Sequence, residues 1–523
     1  MEYTNRFDIS SIKNKESWAS IAADTIIDAH PDTDIYTTAA GISPSGVVHF
    51  GNFRDIVTAH LVREALKEKG KSARLIFSWD NFDRYRKVPS GVPELFSEHI
   101  GKPLSKIPDP VGSCHTSYAE HFQAPFVEAM EKLGIEIEYR NQTELHESGV
   151  YDDAIFHALK ERKKIADILL SFMTDKAKGE KGINSNEYKE KYYPIAVYSR
   201  FTGKDITKIL HYDGDTSVTY LCVETGKEDT VDLSKDHIAK LAWKPDWAMR
   251  WKYENVHFEP GGHDHASPGG SYDASSVITR EIFNYVAPVF IEYKFVGIQG
   301  LGSKMSGSKG NAVSPLELLE IYEPDVLRWL YFRKSPDQSF ELAFNTEIYR
   351  QYDEYDSEHT EKKSIPFRQA VGFGQIVQWQ EDKLQVILNE LELSYSKDSI
   401  KKRLPLARNW LTKYNPSEMV ALNETVNASF AETLNDAQVQ QIRTLHDELL
   451  RRENPTVQEL EKLVYSIPKS PDLDEAQLKK EQRAFFKNVY NLLIGRDAGP
   501  RLGTFLWALE KNKALPLLNI TGK

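Results

Sequence analysis

A turn and a predicted helix start near the amino terminus hold residues suited to bind phosphate. Pro44, Ser45 and Gly46 predict a tight turn, at which the backbone can approach a ligand closely. His49 and Asn52 follow, three positions apart and therefore on one face of the helix. A helix start attracts phosphate through its unpaired N–H groups. Imidazole and carboxamide groups can add hydrogen bonds there without a fixed charge, so we predict a nucleotide site.

A lysine-bearing loop far downstream is a second candidate site. It reads Lys304-Met305-Ser306-Gly307-Ser308-Lys309-Gly310. A Gly- and Ser-rich loop with lysines suits transient clamping of a triphosphate, whose charge shifts as pyrophosphate leaves. Each pattern alone has an ordinary explanation: a helix-face histidine for the first, a solvated basic loop for the second. Their occurrence in one chain argues against both of these explanations.

The first loop lies inside a strand–loop–helix–strand sequence. Residues 34–38 predict a buried strand, residues 47–69 a helix with an apolar stripe, and residues 74–79 a second strand. This order is the first unit of a doubly wound parallel sheet of the nucleotide-binding, Rossmann type. Gly41 and Ser43 come at the carboxyl end of the first strand, where open α/β sheets bind ligands.

Both loops resemble signatures of a known enzyme class. His49-Phe50-Gly51-Asn52 resembles the HIGH signature of class I aminoacyl-tRNA synthetases, with Asn in place of the last His, and the lysine loop resembles KMSKS. The segments GISPSGVVHFGNFRD, WDNFDRYRKVPSGVP, HDHASPGGSYD and KMSGSKG resemble the class I lysyl-tRNA synthetase family. Gly307, in place of the second lysine of KMSKS, is typical of that family. The resemblance is dense over residues 15–340 and looser beyond.

This resemblance implies a two-step ligase. Lysine is activated with ATP and Mg²⁺, pyrophosphate leaves, and lysine passes to the 3′ end of tRNA(Lys). The implied catalytic residues are His49, Asn52, Lys304, Ser306, Ser308 and Lys309. The implied ATP contacts are Pro44, Ser45, Gly46, His49, Gly51, Asn52, Asp264, Lys304 and Met305. The implied lysine contacts are Gly41, Ser43, Trp243, His265 and Tyr293.

The residue types in the predicted lysine pocket suit this substrate. A lysine side chain needs an apolar wall for its stem and an aromatic face or a carboxylate for its ammonium. Trp243 and His265 meet the first need, although a tryptophan at helical spacing is more often a core residue. Tyr293, on a predicted strand at residues 289–298, has the same alternative. His265 also belongs to a His-x-His pair that would bind a metal if it lay on a strand.

A second group of side chains has zinc-ligand chemistry. Asp109, Cys114, His115 and His121 lie close together in the sequence. The resemblance implies zinc here in some family members, and a second, four-cysteine ribbon in others. This chain lacks a cysteine pair at residues 193–196, where one is expected, and Cys222 stands alone. The alternative for the first group is a buried cysteine with surface histidines; a metal-free hairpin is predicted at residues 211–221.

The chain divides into a predicted catalytic domain, an insertion and a helical region. Residues 1–89 and 237–343 form the two halves of the catalytic domain, and residues 90–236 form an inserted α+β subdomain. From residue 344 to residue 523, amphipathic helices dominate, and the resemblance implies an anticodon-binding domain that stacks unpaired bases. Basic positions that could contact tRNA phosphates are Lys401, Lys402, Arg403, Arg451, Arg452 and Arg483.

The composition of the chain limits the class of protein and its expected location. The chain has 523 residues, 40% hydrophobic and 27% charged, with a net charge of −11 and two cysteines. It has no apolar run long enough for a membrane helix and no secretory signal, so we expect a cytoplasmic protein without disulfides. We expect a monomer. The negative charge argues against general nucleic-acid coating, but a local basic face suffices for tRNA.

Other functions remain open from the sequence alone. A class I synthetase for glutamate or arginine would share this architecture. A small-molecule nucleotidyltransferase shares the HIGH-like loop, but it would not need a long helical region. A retired synthetase serving as a regulatory protein would not need His49, Asn52 and Lys304. Charging specificity separates these possibilities.

Overall fold

The computed structural model describes residues 3–14, 17–174, 178–179, 182–299, 312–360 and 363–520. These form two compact units, one of Met1–Leu319 with Leu327–Leu342 and one of Glu320–Val326 with Ala343–Lys523. The lysine loop lies outside the described residues. The roles given above to Lys304, Met305, Ser306, Ser308 and Lys309 therefore stay predictions.

The described strands and helices are numbered here in chain order. The strands are β1 (Tyr36–Ile42), β2 (Ala73–Trp79), β3 (Glu138–Asn141), β4 (Ile195–Val197), β5 (Thr207–Tyr212), β6 (Ser217–Cys222), β7 (Glu228–Asp232), β8 (Ala239–Leu241), β9 (Val256–Gly261), β10 (Val289–Glu292), β11 (Val296–Gln299) and β12 (Phe340–Ala343). The helices up to residue 332 are α1 (Trp18–Ala29), α2 (Phe50–Glu68), α3 (Tyr118–Lys132), α4 (Gln142–Glu147), α5 (Asp152–Lys160), α6 (Arg162–Ser171), α7 (Ser185–Lys191), α8 (Leu233–Asp236), α9 (Trp243–Glu254), α10 (His263–Ala266), α11 (Ser271–Glu281), α12 (Pro315–Leu318) and α13 (Pro324–Phe332). The later helices are α14 (Glu347–Glu358), α15 (Phe367–Ile376), α16 (Glu381–Glu390), α17 (Lys397–Tyr414), α18 (Ala428–Ala431), α19 (Asp436–Arg451), α20 (Val457–Ser466), α21 (Glu475–Ile494), α22 (Leu502–Ala508) and α23 (Lys511–Leu518).

The first unit is built on a parallel sheet. Its described strands have the order β10-β9-β1-β2-β3, and each neighbouring pair is parallel. Ile76 points to the face that α9 and α11 cover, where it packs in one apolar cluster with Trp247 and Tyr272. Phe77, the next residue, points to the other face and stacks on Phe126 of α3 at 5.2 Å between ring centroids. The predicted doubly wound α/β domain is thereby confirmed.

Two predicted segments differ from the structure. The single strand predicted over residues 289–298 is wrong: β10 joins the central sheet, whereas β11 pairs with β12. The predicted insertion at residues 90–236 contains β3, which extends the central sheet beside β2. The sequence signal for β3 is weak because an edge strand of four residues is only partly buried. The domain boundaries themselves stay a prediction.

The rest of the insertion contains a small antiparallel sheet. Its described strands have the order β5-β6-β7, with Val218, Tyr220 and Cys222 of β6 facing an apolar core. The predicted hairpin over residues 211–221 is confirmed, because β5 and β6 pair antiparallel across the turn after Tyr212.

The second unit is helical throughout its described part after Ala343, as predicted. Arg403 does not present a surface charge there, contrary to the expectation that it contacts phosphate. Its side chain is buried and pairs with Glu323 at 2.5 Å and Asp356 at 2.6 Å. Among the described helices of both units, none combines the length and apolarity that a membrane crossing requires.

Candidate active site

The start of α2 orients two side chains as hydrogen-bond donors. His49 caps the helix, and its Nδ1 accepts a bond from the Gly51 N–H at 3.1 Å. The Asn52 Oδ1 accepts a bond from the His49 N–H at 3.2 Å. Because these acceptor atoms are occupied, His49 Nε2–H and the Asn52 amide N–H groups remain for a ligand. This reciprocal cap is a capping box, in which histidine and asparagine take the two positions.

The His49 ring is neutral and closely held. Burial lowers the pKa of His49 below its usual value, so the ring donates a hydrogen bond without carrying a permanent charge. A Cβ at position 51 would lie 2.9 Å from the His49 ring atoms. Gly51 is therefore required where the ring folds back over the helix start.

The predicted turn lies between the end of β1 and α2. The Ser45 N–H donates to the Ser43 carbonyl at 2.8 Å, and the Tyr118 hydroxyl donates to the Ser45 carbonyl at 3.0 Å. The Phe50 N–H donates to the carbonyl of Val313 at 2.9 Å. The described chain that follows the lysine loop is thus anchored beside His49.

An aromatic cluster lies on one face of the sheet. The rings of Trp243 and Trp247 stack at 5.1 Å, and the His265 ring lies 5.7 Å and 5.5 Å from them. Trp247 is almost fully buried, whereas Trp243 is half-buried and remains available to a ligand. Burial lowers the pKa of His265, so this ring is neutral as well.

The His-x-His pair lies on α10, a single helical turn, rather than on a strand. Its rings consequently point in different directions: His263 Nδ1 lies 3.0 Å from Glu292 Oε1, while His265 packs against the tryptophans. Asp264, between them, is exposed. The metal-binding alternative for this pair does not form among the described residues.

A cavity of about 60 Å³ lies between the sheet and α9, with Gly41 and Trp243 in its wall. Two of the carboxylates that line it are neutralised by arginine. Asp80 pairs with Arg250 at 2.6 Å, and Glu254 pairs with Arg140 at 2.8 Å.

Glu259, on β9, lines the same cavity without such a partner. Its Oε2 accepts a hydrogen bond from Trp251 Nε1 at 2.6 Å, and no cation among the described residues lies at ion-pair distance. Burial therefore raises the pKa of Glu259 to about 7. This cavity contains one carboxylate whose charge is uncompensated.

Asp55 adds a second uncompensated carboxylate near Gly41. It accepts a bond from the Gly41 N–H at 3.4 Å, and the Tyr293 hydroxyl also bonds to it. Burial raises the pKa of Asp55, and the charge of Glu259 adds to this effect. No described cation lies at ion-pair distance from Asp55. The end of β1 is thus short of positive charge.

Comparison with known proteins identifies the family. The sequence profile described as tRNA synthetases class I (K) matches residues 16–370. The chain belongs to this family. It is 36% identical to the lysine–tRNA ligase of Streptomyces coelicolor, covering 96% of this chain and 98% of that protein. It is 33% identical to the lysine–tRNA ligases of Pyrococcus horikoshii and Thermococcus kodakarensis, covering 97% of this chain and 99% of each relative.

Four side chains of this class I synthetase form a compact donor set before α3. The potential ligand atoms of Asp109, Cys114, His115 and His121 all lie within 4.8 Å of one another. Cys114 Sγ lies 3.0 Å from His115 Nδ1 and 3.3 Å from His121 Nδ1, and His121 Nδ1 lies 3.2 Å from Asp109 Oδ1. One sulfur, two imidazoles and one carboxylate at this spacing fit a tetrahedral zinc ion.

Sequence reasoning on this synthetase missed Asp55 and Glu259. A signal for Glu259 is present: it is a charged residue in the otherwise apolar strand β9, just before the Gly261–Gly262 turn. Asp55 gives no comparable signal, because an acidic residue in the second turn of a predicted helix is common on an exposed helix face. The two act together only because β1 and β9 are neighbours.

Proposed function

We propose that this synthetase ligates lysine to tRNA in two steps. An oxygen of the lysine carboxylate attacks the α-phosphorus of ATP, the bond to the bridging oxygen breaks, and pyrophosphate leaves. A terminal ribose hydroxyl of the tRNA then attacks the lysyl carbonyl carbon, and AMP leaves with the bonding electron pair. The protein contributes position and charge stabilisation rather than a covalent intermediate.

His49 and Asn52 act on the phosphates of ATP. We assign the N–H groups of both side chains that the capping box does not use to the oxygens that gain charge as the α-phosphorus is attacked. Lys304 and Lys309 are proposed to hold the departing pyrophosphate, with Met305, Ser306 and Ser308 forming the same loop. The bond between Phe50 and Val313 supports this, because it brings the chain beyond the loop to the start of α2.

The adenosine and the backbone of the amino acid are assigned to the neighbouring turns. Pro44, Ser45, Gly46 and Gly51 leave room for close approach, and Asp264 is exposed and can accept a bond from a ribose hydroxyl. Gly41 and Ser43, at the end of β1, are assigned to the carboxylate and amino group of lysine. Mg²⁺ enters with ATP as part of the substrate.

Glu259, which has no ion-pair partner among the described residues, is proposed to determine the specificity for lysine. A lysine stem can lie against Trp243 and His265, while its ammonium enters the cavity and balances Glu259. Tyr293, whose hydroxyl bonds to Asp55, is assigned to the same pocket. Glutamate would bring a further carboxylate to a site in which burial already raises the pKa of two carboxyl groups, so a negative charge is poorly stabilised there. Arginine has the right sign as well, so charging specificity is the measurement that separates it from lysine.

The helical unit is proposed to receive unpaired bases of the tRNA anticodon. It contains a cavity of about 510 Å³ with three arginines and one phenylalanine in its wall: Arg368, Arg496, Arg501 and Phe373. Arg496 is fixed by bonds to the carbonyls of Ser417 at 2.7 Å and Met419 at 2.8 Å. Aromatic and guanidinium planes stack on bases, and arginines attract phosphates.

Zinc at the Asp109 cluster is proposed to stabilise the segment that leads into α3. That helix carries Tyr118, whose hydroxyl bonds to Ser45 in the proposed ATP site. Bound zinc would supply a structural cross-link and no chemistry. We expect about one zinc per chain in the purified protein, and Cys114→Ser should remove it, as measured by elemental analysis. Full retention of zinc by this variant would contradict the assignment.

Charging of total tRNA with each of the twenty amino acids tests the function directly. We expect charging with lysine alone, together with lysine-dependent exchange of pyrophosphate into ATP. Charging with glutamate or arginine would overturn the assignment of the pocket but leave the family unchanged. Exchange without charging would favour a nucleotidyltransferase or a regulatory protein. We also propose action as a cytoplasmic monomer, which sedimentation and cell fractionation test.

A further inference from the structure

The small sheet of the insertion is flanked by two copies of one turn, the first between β4 and β5 and the second between β6 and β7. The first reads Ser199-Arg200-Phe201-Thr202-Gly203-Lys204, and the second Cys222-Val223-Glu224-Thr225-Gly226-Lys227. The copies share a hydroxyl or thiol at the first position, threonine at the fourth, glycine at the fifth and lysine at the sixth. This correspondence alone would carry little weight in a chain of 523 residues.

The two turns have the same pattern of backbone hydrogen bonds. The first residue donates its N–H to the lysine carbonyl at 2.8 Å in both turns, from Ser199 and from Cys222. The glycine N–H donates to the carbonyl of the first residue at 2.7 Å and 2.9 Å. The lysine N–H donates to the threonine Oγ1 at 3.3 Å and 3.4 Å. The fifth position needs glycine, with φ of 69° at Gly203 and 68° at Gly226.

The turns also face each other in a nearly symmetric way. Lys204 of the first turn pairs with Glu224, the third residue of the second, at 3.0 Å. Lys227 of the second turn lies 5.5 Å from the ring centroid of Phe201, the third residue of the first. Each lysine therefore contacts the same position of the opposite turn, as a local two-fold axis between the turns requires.

The first and fourth residues of both turns meet at this axis. Hydrogen bonds reach the Cys222 thiol from the side chains of Ser199, Thr202 and Thr225. Burial alone would raise the pKa of this thiol, but these hydrogen bonds outweigh it and lower the pKa to about 7. The four side chains form one polar cluster around the sulfur, with Ser199 and Cys222 buried and Thr225 exposed.

We infer that these two turns are a four-ligand zinc ribbon in which three hydroxyls have taken the place of three thiolates. The spacing within each turn is that of the C-x₂-C pairs that hold structural zinc. Residues 193–196, where the first pair was expected from sequence, instead lead into and form part of β4, which pairs with β8. The ligand positions are Ser199, Thr202, Cys222 and Thr225.

The substitution changes how the ribbon is held together. Neutral hydroxyls bind Zn²⁺ poorly, because structural zinc sites use thiolate and imidazole ligands. Hydroxyl groups can instead donate hydrogen bonds to the Cys222 sulfur, and three such bonds cross-link the same four positions without a metal. The ribbon of this chain therefore folds independently of zinc supply, while its backbone retains the geometry of a metal site.

The decisive experiment restores the missing ligands. The triple variant Ser199→Cys, Thr202→Cys, Thr225→Cys should bind one more zinc per chain than the wild type, counted by elemental analysis. With Co²⁺ it should give the visible absorption of a tetrahedral thiolate site. Adding Cys222→Ser to this triple variant should weaken the extra binding at least tenfold. The Asp109 cluster is unchanged in all three proteins, so it contributes equally.

A measurement on the wild type covers the case in which the triple variant fails to fold. Amide hydrogen exchange over residues 199–232 should be the same before and after treatment with a chelator. Faster exchange in this range after chelation would overturn the inference, because it would mean that a metal holds the wild-type ribbon. A folded triple variant that gains no zinc would overturn it equally.

Discussion

Hydrogen bonding inside the capping box determines which atoms His49 and Asn52 offer a ligand. The Gly51 N–H occupies His49 Nδ1, and the His49 N–H occupies Asn52 Oδ1. Both side chains are consequently locked as donors before any nucleotide arrives. Such preorganised donors stabilise developing charge without reorganisation during the reaction. Asparagine in place of the last histidine of HIGH thus caps the helix through its oxygen and keeps amide N–H groups as donors.

His49→Ala should lower the rate of lysine activation far more than it weakens lysine binding. The loss of one preorganised donor should reduce kcat for pyrophosphate exchange about 10²- to 10³-fold, because the bond forms chiefly to the charge of the transition state. The lysine KM should change little. His446→Ala is the control, since His446 lies in the helical unit and pairs with its neighbour Asp447. Equal losses in kcat and lysine binding would refute this role.

Glu259→Gln should raise the lysine KM by about 10- to 100-fold, because the variant loses a buried hydrogen bond between two charged groups. The ATP KM should stay the same, because the cavity is separate from the α2 start. Glu138→Gln is a matched control: Glu138 begins β3 in the same sheet, but it is exposed and pairs with Arg140. The variant should also discriminate less between lysine and norleucine, which lacks the ammonium. An unchanged lysine KM would mean that Glu259 does not contact the lysine substrate.

The affinity for lysine should depend on pH near neutrality. Burial raises the pKa of Glu259 to about 7, so below pH 7 the free enzyme holds this carboxyl protonated and cannot pair with an ammonium. The lysine KM should therefore fall as pH rises from 6 to 8 and then level off. Arg250, Asp80 and Asp55 are the charged groups that face Glu259.

Glu259→Gln should abolish the inflection near pH 7 in the lysine KM. Asp55, whose pKa burial also raises, accounts for any dependence that remains. The same inflection in wild type and variant would assign it to another group.

At the level of elements, the sheet order brings the site together. β1 lies between β2 and β9, so the loop before α2, the end of β2 and the turn after β9 meet at one edge. The parallel fold and the α2 start were predictable from sequence because local turn residues and apolar periodicity specify them. The charge imbalance of Asp55 and Glu259 was not, since it depends on which carboxylates find arginine partners in the folded chain.

The same dependence on distant partners explains the charged residues after β2. Asp80 and Asp83 could be read from sequence as ligands or as a solvated loop. In the structure both carboxylates form ion pairs within the protein: Asp80 pairs with Arg250, and Asp83 pairs with Lys240. These pairs join the end of β2 to α9 and β8. A sequence pattern contains no information about such partners more than 150 positions away.

Arg250→Met should destabilise the first unit strongly. The guanidinium is buried and contacts Asp80 at 2.6 Å and Asp246 at 3.0 Å. Its removal leaves the buried Asp80 without its ion-pair partner and leaves Asp246 with the more distant Lys240 at 3.6 Å. Breaking a buried pair in this way costs about 3–5 kcal/mol, measurable as a fall in the urea midpoint of tryptophan fluorescence.

Arg200→Met is the matched control for Arg250→Met. It breaks a partly exposed pair with Asp236 and should cost less than about 1 kcal/mol. Similar midpoints for the two variants would mean that the buried network contributes nothing.

At the level of the whole molecule, tRNA recognition must be reconciled with a net charge of −11. The arginines of the helical unit solve this locally. Arg368 lies 4.5 Å over the ring of Tyr349, and Arg501 is held by Glu461 at 2.9 Å, so both are positioned before binding. Like Arg501, the basic positions Arg451 and Arg452 pair with an acid, in their case Glu448.

Phe373→Ala should weaken tRNA binding without affecting the lysine KM. Stacking of one base on an aromatic ring contributes about 1–3 kcal/mol, so the tRNA KM should rise about 5- to 100-fold. Phe486→Ala is the control, because Phe486 is a half-buried phenylalanine of the same helical unit that packs against Tyr465, outside the cavity. Arg501→Ala should instead reduce the salt dependence of binding, since it removes a phosphate contact. If Phe373→Ala and Phe486→Ala bind tRNA alike, the cavity does not hold a base, and the anticodon must be bound elsewhere on the helical unit.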